Sequence, residues 1–372
     1  MYILIYFHFQ MEKNKNPKSA LSVSKGINQP PSVNPNLQRK VPTNLSNEDF
    51  IEGIFKGDRT ILSRAITLIE SNLPEHIRQS QHIIEACLPH TGKSIRIGIT
   101  GVPGVGKSSF IESIGNYLTQ QGHKLAVLAI DPSSERSGGS ILGDKTRMET
   151  LSAHPHTFVR PSPSAGTLGG VARKTRESIL LCEAAGYDII FVETVGVGQS
   201  ETAVRSMVDF FLLLILAGAG DELQGIKRGI IEMADLLVIT KADGSNIDHA
   251  KRAASEYTSA LHMFPVSESG WTPCVLSCSA LKNEGMEQIW QNILEYEKHI
   301  KKSGYFDISR KKQSLFWMNE TIRDALNAHF YGNTEIQEQL LRLRDDVLNN
   351  KISSFIAAQL ILDSYFNENK KS

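Results

Sequence analysis

The stretch Gly101-Val-Pro-Gly-Val-Gly-Lys107-Ser108 decides the reading of this chain. It follows the apolar run Ile95-Arg-Ile-Gly-Ile-Thr100 and precedes the amphipathic Ser109-Phe-Ile-Glu-Ser-Ile-Gly-Asn-Tyr-Leu118. It therefore matches G-x-x-x-x-G-K-[ST] in the strand–turn–helix setting that the motif requires. Glycines at 101, 104 and 106 remove the Cβ atoms that would keep the backbone off a phosphate. The N–H groups of the loop, through Val105 and on to Ser108 and Ser109, can then face an anion at a helix N-terminus. Lys107 supplies a mobile cation to the β and γ phosphates, and the Ser108 hydroxyl is placed to ligate Mg²⁺.

Outward from this loop, short apolar runs alternate with helical stretches: 95–100, 124–131, 157–161, 187–194, 209–218, 236–243 and 272–280. Their apolar character is continuous rather than alternating, which predicts strands covered on both faces. The repetition predicts an α/β fold, a P-loop NTPase with a mostly parallel, doubly wound sheet over residues 93–300. Two further site elements lie at strand ends. The run 187–194 carries Glu193, with Gly196 three residues on, where an acidic Mg²⁺ partner and a γ-phosphate-sensing glycine belong. GTPases usually carry Asp there, so the longer Glu193 suggests contact to the metal through water. Thr240-Lys241-Ala242-Asp243 ends another run, and its aspartate can accept both the N1–H and the exocyclic amine of guanine. Adenine offers no such pair of donors, so GTP is preferred over ATP. Ser279-Ala280-Leu281 completes the expected base pocket.

The 372 residues include 40 basic and 40 acidic side chains, so no chain-wide field attracts nucleic acid or an anionic membrane. Four cysteines without a C-x-x-C pair fit a reducing compartment. The longest strongly apolar run, 210–217, is far below the roughly 18 residues needed to cross a bilayer. Without a secretory or transit signal, the expected location is the cytoplasm. Residues 1–45 read as a disordered tail, with Met11 an alternative start to Met1. Ser46 with Asp49 marks a helix start, and Leu62, Ile66 and Ile69 follow at helical spacing, predicting a helical extension over 46–92. Over 301–372, Leu315, Met318, Ile322, Leu326 and then Ile336, Leu340, Leu343, Val347 step by three and four. Spacing alone leaves this tail either packed on its own domain or a dimerisation arm.

The stretches Asp131-Pro-Ser-Ser134, Ser137–Met148, Glu193–Glu201 and Ala217–Arg228 closely resemble the MeaB/ArgK family, over roughly residues 46–366. The resemblance implies a GTP-binding and GTP-hydrolysing chaperone of an adenosylcobalamin-dependent acyl-CoA mutase, methylmalonyl-CoA mutase or a relative. Such a protein gates cofactor delivery and protects the holoenzyme, with Mg²⁺ and GTP or GDP bound. It also implies that Asp131 and Asp144 join Ser108 and Glu193 around the metal, and that Glu193 is the switch II carboxylate. Residues 137–148 become switch I. Residues 217–228 become a third switch that couples the nucleotide to the mutase, with Lys227 taking part. The same resemblance favours a homodimer through a C-terminal arm over 301–372. One departure is Ser109, where many members carry Thr.

Phosphoryl transfer needs positioned water and neutralised charge rather than covalent chemistry. Lys107, Glu193 and Gln199 form the candidate catalytic set, Gln199 by analogy with switch II glutamines; Arg147 could add charge stabilisation. With no dedicated general base in view, slow intrinsic turnover accelerated by a partner is expected. A metabolic kinase of the amino-acid transport type is the alternative on the same nucleotide site, although no acceptor-binding segment is visible. A protein-targeting GTPase fits less well, since eight methionines provide no Met-rich signal-binding domain. The pairs His154/His156 and Cys274/Cys278 have the wrong spacing for a structural zinc site.

Overall fold

The computed structural model describes residues 45–130, 148–161, 168–194, 200–217 and 228–368. The tail expected over 1–45 lies outside these residues except for Leu45. So do Asp131, Asp144, Arg147, Gly196, Gln199 and Lys227, and with them most of the three expected switch segments.

Each of the seven apolar runs forms a strand: β1 (Ile95–Gly101), β2 (Leu125–Ile130), β3 (Thr157–Arg160), β4 (Ile189–Thr194), β5 (Phe210–Leu216), β6 (Leu236–Thr240) and β7 (Cys274–Ser277). They make one sheet in the order β3-β2-β4-β1-β5-β6-β7, and every pairing is parallel. All residues of β1, β2 and β6 are buried, as an apolar run covered on both faces requires. Because the strands run the same way, their carboxyl ends gather on one edge, where ligands bind in open sheets of this kind.

On one face, Ile95, Ile97 and Ile99 pack with Phe110, Ile111, Ile114 and Leu118 of α4 (Lys107–Gln120). That cluster also takes in Ile289, Trp290 and Ile293 of the helix Met286–Lys302. On the other face, α6 (Leu168–Ala184) and α7 (Ser200–Arg205) cover the sheet, α5 being the short helix Glu149–Ala153. Three N-terminal helices, α1 (Asn47–Phe55), α2 (Arg59–Glu70) and α3 (Pro74–Cys87), add Phe50, Ile54, Leu62, Ile66, Ile69 and Ile83 to this second core. Helix α1 opens with a capping box: Asp49 N donates to Ser46 Oγ at 3.1 Å, and Ser46 N donates to Asp49 Oδ2 at 2.9 Å.

Beyond the sheet, α8 (Arg228–Met233), α9 (Ile247–Leu261) and α10 (Met286–Lys302) lead to α11 (Tyr305–Gly332). Helix α11 docks through Arg310, Gln313 and Trp317, spaced by three and four. Arg310 Nη2 donates to Asp209 Oδ2 at 2.7 Å, Gln313 Nε2 to Val208 O at 2.8 Å and Trp317 Nε1 to Ser206 O at 3.1 Å. The apolar stripe read from the sequence lies elsewhere on this helix, with Leu315 59% and Leu326 60% exposed. Helices α12 (Thr334–Leu348) and α13 (Ser354–Glu368) follow, with an apolar groove of about 640 Å³ lined by Leu340, Leu343, Val347 and Ile361.

Candidate functional site

The phosphate loop joins β1 to α4 at the carboxyl edge of the sheet, between β4 and β5. Its first glycine is fixed by contact, since a Cβ on Gly101 would stand 2.6 Å from Leu214 O on β5. Gly106, with φ +100°, turns the chain left-handed into the first residue of α4, a conformation that side chains resist. Val105 is fully buried and anchors the loop in the core below, while Ser108 and Ser109 lie in the first turn of α4.

Lys107 is nearly buried, and its Nζ donates to Gly101 O at 2.7 Å and Val102 O at 3.3 Å. The ammonium thus curls back over its own loop. Burial lowers its proton affinity below the ordinary lysine range, and the negative charges of Glu193 and Glu201 work against that fall. Glu193 reaches this field from the end of β4, where it pairs in register with Ile99 of β1. Glu201 reaches it from α7 and is only 3% exposed. Sequence alone offers one signal for Glu201, its place two residues beyond Gln199.

The segment expected to read the base, Thr240–Asp243, is tied directly to the glycine-rich loop. Thr240 Oγ1, buried at the end of β6, donates to Val105 O at 2.8 Å and to Ile215 O at 3.2 Å. Lys241 holds a left-handed backbone, φ +54°, and its Nζ donates to Gly104 O at 3.0 Å. Strained backbone of this kind persists where the surroundings over-determine it. Here Asn246 Nδ2 secures the turn by donating to Lys241 O at 2.9 Å. Asp243 accepts from Ser279 Oγ, and Ser279 in turn bridges to Glu284. Ala280 follows it, and Leu281 stands 85% exposed beside them. Ser113 of α4 donates to Asn283 Oδ1 at 2.7 Å, so the helix that starts at the glycine-rich loop also holds the turn after Ser279.

The structure therefore brings together Gly101, Gly104, Val105, Gly106, Lys107, Thr240, Lys241, Asp243 and Ser279 from three strand ends. An aspartate held by one hydroxyl keeps acceptor capacity for the two donors on guanine. Replacing Asp243 by Asn turns one acceptor into a donor, and GTP affinity falls by about 100-fold, the loss expected for hydrogen bonds to a charged group. Xanthine, which offers an oxygen where guanine has its amine, recovers part of that loss. Titration calorimetry with both nucleotides checks this, and equal GTP binding by the variant would remove Asp243 from base recognition.

The family model MeaB, described as methylmalonyl-CoA mutase-associated GTPase MeaB, matches residues 62–335. A probable GTPase of Mycobacterium tuberculosis is 46% identical over 321 residues, covering 85% of this chain and 96% of that protein. The mouse protein named methylmalonic aciduria type A homolog, mitochondrial, is 47% identical over 323 residues, covering 84% of this chain and 78% of that protein. Among solved structures, a LAO/AO transport system kinase superposes with a TM-score of 0.71 at 36% identity, covering 87% of this chain and 99% of that one.

Proposed function

This chain belongs to the MeaB family of methylmalonyl-CoA mutase-associated GTPases, and from that premise we propose that it gates adenosylcobalamin delivery to such a mutase and protects the loaded enzyme. The observation that carries the nucleotide side of this reading is the pair of bonds from Thr240 and Lys241 onto Val105 and Gly104. They make base recognition and phosphate binding one mechanical unit.

Hydrolysis of GTP follows from these parts. The loop N–H groups and Lys107 hold the β and γ phosphates, so the charge that develops on the transferred phosphoryl group meets donors already in place. A triphosphate offers Lys107 charged acceptors in place of two neutral carbonyl oxygens. The residues also fit Mg²⁺: Ser108 in the first turn of α4 and Glu193 at the end of β4 offer only hard oxygen donors. Oxygens of the bound nucleotide and water would complete the coordination of such an ion. Bound Mg²⁺ would neutralise charge between the β and γ phosphates. Asp131 and Asp144 are proposed as its additional acidic neighbours, Gly196 as the γ-phosphate sensor and Gln199 as the residue that orients water.

The C-terminal arm is proposed to join two copies. Support comes from its surface, where Leu326, Leu341, Phe355 and Phe366 are 58% or more exposed on helices α11, α12 and α13. Among the described residues no helix is long and apolar enough to cross a membrane.

The test immobilises the full chain and adds a cobalamin-dependent methylmalonyl-CoA mutase with GDP or with a nonhydrolysable GTP analogue. Nucleotide-dependent retention, and phosphate release raised at least about tenfold by the mutase, is the expected result. Light scattering of the chain alone should report twice its mass. The solved relative described as a transport system kinase motivates a parallel arm: phosphate appearing on an added amino acid instead of in solution would replace the chaperone reading with a kinase.

A further inference from the structure

Two buried threonines stand where the phosphate loop and the carboxylate-bearing strand diverge. Thr100 and Thr194 are 1% and 0% exposed, and their hydroxyl oxygens lie 2.8 Å apart. Thr100 directly precedes Gly101, and Thr194 directly follows Glu193. The β1–β4 ladder has its last register pair at Ile99 and Glu193. Beyond it, β1 continues only against β5, and β4 only against β2. The hydroxyl bond therefore continues the junction one residue past the end of the backbone ladder, beside Gly101 on one strand and Glu193 on the other.

The surroundings support a role beyond filling space. Gly98, two residues earlier on the same strand face, is so tightly covered that a Cβ would come within 2.8 Å of Val204 Cγ1 on α7. Glu201, one turn before Val204 on that helix, is buried and acts on the Lys107 charge. The threonine pair thus lies on the sheet face covered by the helix that follows switch II.

We propose that the Thr100–Thr194 hydroxyl pair is a positioning element of the GTPase reaction, holding Glu193 at the end of β4 in register with the phosphate loop. It deepens the nucleotide-site reading given above and rests on it. A purely structural pair makes a different prediction, because replacing both partners by apolar groups of the same shape is nearly neutral for stability. Valine is such a replacement for threonine, so stability and turnover can separate in the double valine variant, whereas a single valine leaves the partner hydroxyl buried and unpaired.

Single-turnover GTP hydrolysis, GDP calorimetry and thermal unfolding are measured on Thr194→Val, Thr194→Ser, Thr100→Val and the double valine variant. Losing one neutral hydrogen bond from the positioned state slows turnover in Thr194→Val by about fivefold. GDP affinity stays within about twofold, and Thr194→Ser, which keeps the hydroxyl, recovers the rate. The double variant is no slower than either single valine variant, because the two hydroxyls form one bond. Turnover unchanged in Thr194→Val, GDP affinity falling in parallel with it, or Thr194→Ser as slow as the valine variant would each overturn the proposal. GDP binding by the unaltered chain, measured in the same series, reports separately on the site reading.

Discussion

Replacing Lys107 by Ala lowers single-turnover GTP hydrolysis by about 10²–10³-fold, the cost of losing one preorganised donor to transition-state charge. The geometry explains why the loss is large. The ammonium is nearly buried, it is held by Gly101 O and Val102 O, and Glu193 and Glu201 set its electrostatic surroundings. Removing it leaves two carbonyl oxygens and two carboxylates facing a triphosphate with no nearby cation from the loop. Arginine does not rescue the variant, because a planar guanidinium cannot take the place of a compact ammonium curled back onto Gly101 O and Val102 O. Nucleotide affinity falls as well, which titration calorimetry measures. Hydrolysis within about threefold of the unaltered protein would mean that the loop backbone alone holds the phosphates and that the lysine is dispensable.

The same residue shows how much of the site could be read in one dimension. Lys107, Ser108 and the three glycines are local, and their spacing is the chemistry, so a sequence motif carries them. The seven strands were legible for a related reason, since Phe210–Leu216 and Leu236–Thr240 are continuous apolar runs that only a sheet covered on both faces can bury. Strand order was not legible. Placing β4 between β1 and β2 depends on pairings such as Ile99 with Glu193, separated by nearly a hundred residues, and no local pattern encodes them. Thr100 and Thr194 were missed because a lone threonine in an apolar strand looks like a β-branched filler until its partner strand is known.

Periodicity over the C-terminal residues foretold helices, which form at Tyr305–Gly332, Thr334–Leu348 and Ser354–Glu368, but not what their apolar faces meet. Periodicity marks an apolar stripe without saying which surface it meets. On α11 the residues that dock are Arg310, Gln313 and Trp317, chiefly through polar bonds to Ser206, Val208 and Asp209. Leu315, Met318, Ile322 and Leu326 are left half or more exposed. The helix is therefore fastened to the segment joining α7 to β5. Its apolar residues remain available for another surface, as the proposed dimer requires.

Replacing Glu183 by Ala destabilises the fold by about 3–5 kcal/mol, because it strands the buried Arg96 charge. Glu183, at the end of α6, accepts from Arg96 Nε at 2.9 Å, Arg96 Nη2 at 2.8 Å, Ser94 Oγ at 2.5 Å and Gly92 N at 2.9 Å. Both side chains of the ion pair are 3% exposed or less, and Arg310 Nη1 stands 3.6 Å away. Burial alone would raise the carboxyl's proton affinity. The charges of Arg96 and Arg310 and the bonds from Arg96 and Ser94 outweigh it and hold the group below the ordinary glutamate range. A depressed folded-state value means that the pair contributes stability above the unfolded glutamate pKa of about 4.3, and that this is lost as pH falls through the lower folded value. The variant therefore melts roughly 5–10 °C lower at neutral pH, and the gap narrows below about pH 4. The cluster sits at the amino edge of the sheet, opposite the phosphate loop, so GTP affinity of the folded variant at low temperature stays within about twofold. Thermal unfolding across pH, paired with calorimetry at one pH, measures both. An equal melting temperature at pH 7 would show that Arg96 finds another partner, and a collapse of GTP affinity would show that the two edges of the sheet are coupled.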